Sequence, residues 1–118
     1  FEHGHKSLFT RYFSDSDVLP VPINHGEGRF VFSSSFQEDT LKLLSVMRYV
    51  DVYGGDVSPL NGSTYSVAGL SNQHGNVFAM MPHPERVFRA VQNSWHPNEW
   101  NERSPWLRMF ENARKWVD

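Results

Sequence analysis

There is no cysteine among these 118 residues. That absence excludes a disulfide, a thiolate metal site and a thiol nucleophile carried by this chain. There is no apolar run near the roughly 20 residues that a membrane-crossing helix needs, and no stretch reads as a secretory signal. With neither staple nor export signal, a cytoplasmic location and no membrane partner are expected. Charge of one sign is also scarce: eleven Lys and Arg against thirteen Asp and Glu leave a formal net charge of -2. A nucleic-acid partner would call for a basic footprint, so none is expected. There is no initiating methionine either; the sequence starts at Phe1, which is expected of a piece of a longer protein. What remains is a globular mixture, 39% hydrophobic and 20% charged, long enough for one domain at most.

Residues Phe1 to Asp17 show little periodicity and are expected to be irregular, with a short extended piece at Leu8-Phe9. Val18 to Asn24 is apolar up to Asn24, but Pro20 and Pro22 cannot donate to a ladder, so it reads as an edge or interrupted strand. His25-Gly26-Glu27-Gly28-Arg29 reads as a tight glycine loop and Phe30-Val31-Phe32 as the return strand of a hairpin. Leu41, Leu44 and, more weakly, Leu43 predict a short helix within Gln37 to Ser45. The alternating, β-rich run Met47 to Tyr53 predicts a strand that stops at Gly54-Gly55. Tyr65 to Ser71 and Asn76 to Met81 predict a hairpin turning at Asn72-Gln73-His74-Gly75. Its second strand is nearly all apolar and is expected to be buried on both faces. Val87 to Val91 reads as a helical turn. Ser104-Pro105 opens the clearest helix, with Ser as cap and Pro at the first position. Trp106, Phe110, Ala113 and Val117 are expected along its buried face, and Glu111 with Lys115 as a helical ion pair. The order suits an α/β or α+β unit.

Chemistry concentrates at Met80-Met81-Pro82-His83-Pro84-Glu85-Arg86. In extended chain, residues two apart project to one side. The flanking prolines stiffen the backbone, so the His83 and Glu85 side chains have little freedom relative to each other. A carboxylate that accepts from one imidazole nitrogen fixes the tautomer, and the other nitrogen can then take a proton from a nucleophile. On the triplet alone, a solvated surface turn is the favoured reading. His25-Gly26-Glu27-Gly28 could bring a ligand close to backbone N–H groups, or be an ordinary turn. His3 and His5 have a chelating spacing, but no Cys, Asp or Glu cluster joins them, so no metal is expected. Trp95, Trp100, Trp106 and Trp116 are read as packing residues.

Taken whole, the run MMPHPERVFRAVQNSWHPNEWNERSPWLRMFENARKWV, from Met80 to Val117, resembles the C-terminal end of the phosphoribosylformylglycinamidine synthase family, in its large single-chain form. INHGEGRF at Ile23 to Phe30, MRYVD at Met47 to Asp51 and the turn Asn61 to Ser63 agree in order and spacing. The resemblance covers Val18 to Val117. Residues 1–17 are left unassigned, and 18–118 are assigned to the C-terminal part of a class I glutamine amidotransferase domain. That implies an α/β, flavodoxin-like domain, with a mixed sheet and flanking helices. It also implies a Cys-His-Glu triad that hydrolyses glutamine through a thioester, with His83 as general base and Glu85 as its orienting carboxylate. Asn24, His25 and Gly26 would contact bound glutamine. No cofactor is implied for this segment; ATP and magnesium belong to the synthetase domain of the parent, which uses the ammonia to make formylglycinamidine ribonucleotide in purine biosynthesis. The partners implied are the N-terminal half of the amidotransferase domain, carrying the cysteine, and the synthetase domain. The rival reading is a non-catalytic homologue serving as an interaction module, to be decided by whether a glycine-flanked cysteine lies upstream of Phe1.

Overall fold

Prolines decide how the first apolar stretch is used. A computed structural model describes residues 1–2, 6–23, 28–32, 34–57 and 62–118, with 35–38 as backbone only. Residues 18–23 run through it as a strap without regular secondary structure and form no strand. Pro20 and Pro22 carry no N–H, so the strap offers only carbonyls at those positions. The Pro20 carbonyl accepts from Trp106 Nε1 at 2.7 Å, and the Pro22 carbonyl accepts from the His83 amide at 3.1 Å. The expected hairpin with Phe30-Val31-Phe32 is therefore not formed by the described residues. Phe30 instead meets the turn before the central strand, receiving the Thr64 amide at 2.8 Å.

The regular elements are α1 (Ser35–Leu44), β1 (Ser45–Arg48), β2 (Val67–Ser71), β3 (Phe78–Met80) and α2 (Leu107–Val117). The α/β class holds. The sheet of described residues is antiparallel throughout rather than mixed, in the order β1-β2-β3. Helix α1 turns Leu41 fully inward and leaves Leu43 exposed, then runs into β1 with no connecting residue. β1 is shorter than the expected strand. Asp51 Oδ1 accepts the Tyr53 and Gly55 amides, each at 2.8 Å, and this local turn folds the chain back before the alternation can continue.

β2 is the central strand and is buried except at Leu70. A side chain at Gly69 would press on Phe78 and Met47, so the missing Cβ lets Phe78 lie across the strand. The hairpin to β3 forms as expected. Asn72 Oδ1 accepts the Asn76 and Val77 amides at 3.0 Å, and Gly75 takes the left-handed φ of +73°. A Cβ on Gly75 would collide with the Lys6 carbonyl. Leu8 donates to the Gly75 carbonyl at 2.8 Å, so residues 6–8 are fastened to the hairpin tip.

Two expectations about burial are corrected. β3 is not buried on both faces: Phe78 and Met80 are half-buried and Ala79 is exposed, and in the sheet of described residues β3 lies at the edge with β2 on one side. The buried face of α2 is also rotated. Trp106, Met109 and Asn112 face inward, whereas Phe110 and Val117 are exposed. Asn112 turns in because its amide donates to the Phe9 and Arg11 carbonyls at 3.1 and 2.6 Å. An amide that satisfies two loop carbonyls outweighs the hydrophobicity of its neighbours. Among the described ion pairs Glu111 meets Arg103 at 3.4 Å, and Arg114 meets Asp118 at 3.0 Å. The helix starts later than expected: Trp106 is its cap residue and no side chain caps it, so Ser104 lies two residues ahead, where its Oγ accepts the Trp106 amide at 3.1 Å.

Phe13, Val46, Met47, Ala68, Val87, Trp106 and Met109 form the core. Phe1, Phe9, Tyr49 and Met80 close over it. Phe1 stacks on Phe13 with ring centroids 4.3 Å apart. The irregular first segment is thus a wall of the same core. Each fully buried aliphatic or aromatic side chain contributes about 1.5–3 kcal/mol.

Candidate active site

The His83–Glu85 turn is built from the end of β3. The Met81 amide still bonds back to the Ala68 carbonyl of β2 at 3.1 Å, so the chain leaves the sheet in a fixed direction. Pro82 and Pro84 are buried. Pro84 opens a single 3-10 turn, Pro84–Arg86, for which His83 is the capping residue. Proline at that position gives up only an N–H that the turn does not use. The Arg86 and Val87 amides close the turn on the His83 and Pro84 carbonyls, at 3.2 and 3.1 Å. The His83 amide is held by the Pro22 carbonyl of the strap.

This backbone presents a short side-chain pair, His83 Nδ1 to Glu85 Oε1, at 2.7 Å. Glu85 is 56% exposed and His83 32% exposed at the side chain. The bond from His83 holds the Glu85 carboxyl below its usual range, with a smaller contribution from its own backbone amide. With Glu85 ionised, Nδ1 carries the proton and donates. Nε2 is then the basic nitrogen of that tautomer.

The pair sits at the lip of an open apolar pocket of about 310 Å³. Phe9, Met80, Met109, Phe110 and Ala113 supply its floor and walls. Of these, the sequence places only Met80 beside His83, in the same short stretch. Phe9 arrives from the irregular segment and Phe110 with Ala113 from α2, and no local window of sequence shows that these meet the His83 turn. Of the other residues singled out from the sequence, Asn24, His25 and Gly26 lie outside the described residues, as do His3 and His5. Pro22, two positions before Asn24, is in direct contact with the His83 backbone. Among the described residues no group of three His, Cys, Asp or Glu side chains could hold a metal, and no helix is long and apolar enough to cross a membrane.

A family model described as the CobB/CobQ-like glutamine amidotransferase domain matches residues 2–117. The chain belongs to that family. This CobB/CobQ-like amidotransferase chain is also similar to the phosphoribosylformylglycinamidine synthase of Saccharomyces cerevisiae, at 44% identity over 113 residues. The similarity covers 84% of the chain and 8% of the yeast protein's length. The family match takes in most of residues 1–17, which had no assignment from sequence, in keeping with the place of Phe1, Leu8 and Phe13 in or against the core.

Proposed function

We propose that this chain is the His- and Glu-bearing part of the glutaminase site of a phosphoribosylformylglycinamidine synthase. The observation that carries the reading is the 2.7 Å His83–Glu85 bond on a proline-stiffened turn at the lip of an apolar pocket, in a chain of the amidotransferase family. Glutamine hydrolysis needs a nucleophile, a base that takes its proton and returns it to the departing ammonia, and a group that holds the base in one tautomer. His83 is the base, through Nε2. Glu85 orients it and stabilises the imidazolium that forms. The nucleophile is a cysteine thiol from the other part of the amidotransferase domain, since this chain has no cysteine. The chain alone is therefore inactive. The exposed edge of β3 and the pocket beside it are where that other part packs. Asn24, His25 and Gly26 contact glutamine. The ammonia passes to a synthetase domain, to which ATP and magnesium are assigned; no step proposed for this chain uses them. The setting is the cytoplasm, with no nucleic acid or membrane as partner.

The test is His83→Ala in the full-length enzyme, supplied with either glutamine or ammonium. Glutamine-dependent synthesis is expected to fail while ammonium-dependent synthesis survives. Loss of both would move His83 from the chemistry to folding or coupling.

A further inference from the structure

Taking the glutaminase reading as its basis, we propose that Trp106 is a positioning residue for His83, acting through the Pro20–Pro22 strap. Trp106 is 1% exposed, and its indole N–H donates to the Pro20 carbonyl at 2.7 Å across 86 positions of sequence. Two residues on, the Pro22 carbonyl accepts the His83 amide. One short strap therefore presents two acceptors in a row, one for the indole and one for the base.

At Pro20 and Pro22 the strap has no amide with which to join a sheet. These donors from outside fix its position. Trp106 is itself fixed from the other end. The Ser104 Oγ accepts the Trp106 amide at 3.1 Å, and the Ser104 amide donates to the Phe88 carbonyl at 2.9 Å. Phe88 lies five residues after His83 on the same stretch of chain. The path thus closes on itself: His83 to Pro22, along the strap to Pro20, through the indole and Ser104 to Phe88, and back to His83. Every corner is a hydrogen bond of 3.1 Å or less. Displacing the indole N–H opens this ring at the strap. His83 then keeps Glu85 but loses the fixed placement of its backbone. The strap leads straight on in sequence to Asn24.

A tryptophan that only fills the core would be indifferent to its N–H, and the experiment uses that difference. In the full-length enzyme, position 106 receives the benzothienyl analogue of tryptophan, which puts sulfur in place of the N–H at nearly the same outline; Trp106→Phe is made alongside. Glutamine-dependent kcat and KM, the pH profile of kcat, ammonium-dependent turnover and the thermal melt are measured, with His83→Ala in parallel. Both Trp106 variants should lose about tenfold in glutamine-dependent kcat, equivalent to one well-placed hydrogen bond. The analogue should show an altered pH profile, an unchanged ammonium rate and a melt close to the parent's. An analogue with parental kcat, KM and pH profile would reduce Trp106 to packing and overturn the inference, even if Trp106→Phe fails to fold. If His83→Ala abolishes glutamine-dependent turnover while the analogue is silent, only the positioning inference falls. If His83→Ala retains that turnover, the glutaminase reading falls and the inference falls with it.

Discussion

Replacing Glu85 with glutamine should lower glutamine-dependent kcat of the full-length enzyme by about 30- to 150-fold, and the size of the drop can be worked from the pair. The Nδ1–Oε1 distance is 2.7 Å, so the substitution exchanges a charge-assisted bond for a neutral one. That difference is about 1–1.5 kcal/mol. A second loss comes when His83 becomes an imidazolium during proton transfer. Between water and a protein surface, a unit pair at this range is worth about 1–4 kcal/mol. With Glu85 56% exposed, the lower end applies. Together these give about 2–3 kcal/mol, and each 1.4 kcal/mol is about tenfold. The amide brings a further hazard. If its NH2 turns toward Nδ1, the proton moves to Nε2, the nitrogen that must accept one. Tautomer inversion of this kind costs up to about 10⁴-fold in hydrolytic triads, so the stated range is a lower bound. The assay is steady-state turnover with glutamine, with ammonium as the control. A kcat unchanged with glutamine would refute the orienting role. The same variant reports on pH. The Glu85 carboxyl is held below its ordinary value of 4.5 in the folded chain, so its contribution to stability is complete above that value. It is lost as pH falls through the lowered folded value. The melting difference between parent and Glu85→Gln should therefore shrink as pH drops below 4.5. A difference that grows in acid would reverse the assignment.

Two other outcomes follow from the packing. Val46 is fully buried in β1, and Val46→Ala should destabilise the domain by about 2–3 kcal/mol, from two lost methyl groups and the space they leave; denaturant midpoints will check it. The chain expressed alone should self-associate, since β3 is at the edge of the sheet of described residues and Phe110, Trp116 and Val117 are exposed. A clean monomer with one sharp melt, seen by ultracentrifugation and calorimetry, would contradict this.

The hairpin around Asn72 to Gly75 was legible because its signals are local: an Asx side chain, a glycine at φ > 0, and apolar residues on either side. The His83–Glu85 contact was legible only in part: the prolines restrict both residues, but the pair forms on a 3-10 turn and not in the extended chain that the spacing argument assumes, and the triplet alone favours a solvated turn. The burial of β3 was not legible. An apolar run is the same in a central strand and in an edge strand facing a pocket, and only the sheet order separates them. Nor was the inward face of α2. Asn112 faces the core because carbonyls of Phe9 and Arg11 arrive there from a hundred residues away, and no window of sequence contains that meeting. Of the four tryptophans read as packing residues, Trp106 is buried while Trp95 and Trp116 stand exposed, and the partner of Trp106, the Pro20 carbonyl, is as distant in sequence. The resemblance from Val18 onward gave the family; the place of the first seventeen residues needed the core to be seen.

The fastening of residues 6–8 to Gly75 matters to anyone who wants to mark this protein. A hairpin tip is the usual place to splice in a tag or a fluorophore, because a turn in solvent tolerates added length. This tip is different. Its glycine has a neighbouring backbone where a side chain would go, and its carbonyl holds Leu8. A graft at Asn72 to Gly75 would pull the first segment off the core, and Phe9 with it. The turn at Asp51 to Gly55 is the better graft site. It is closed by its own Asp51, and Val52 and Tyr53 stand 84% and 94% in solvent.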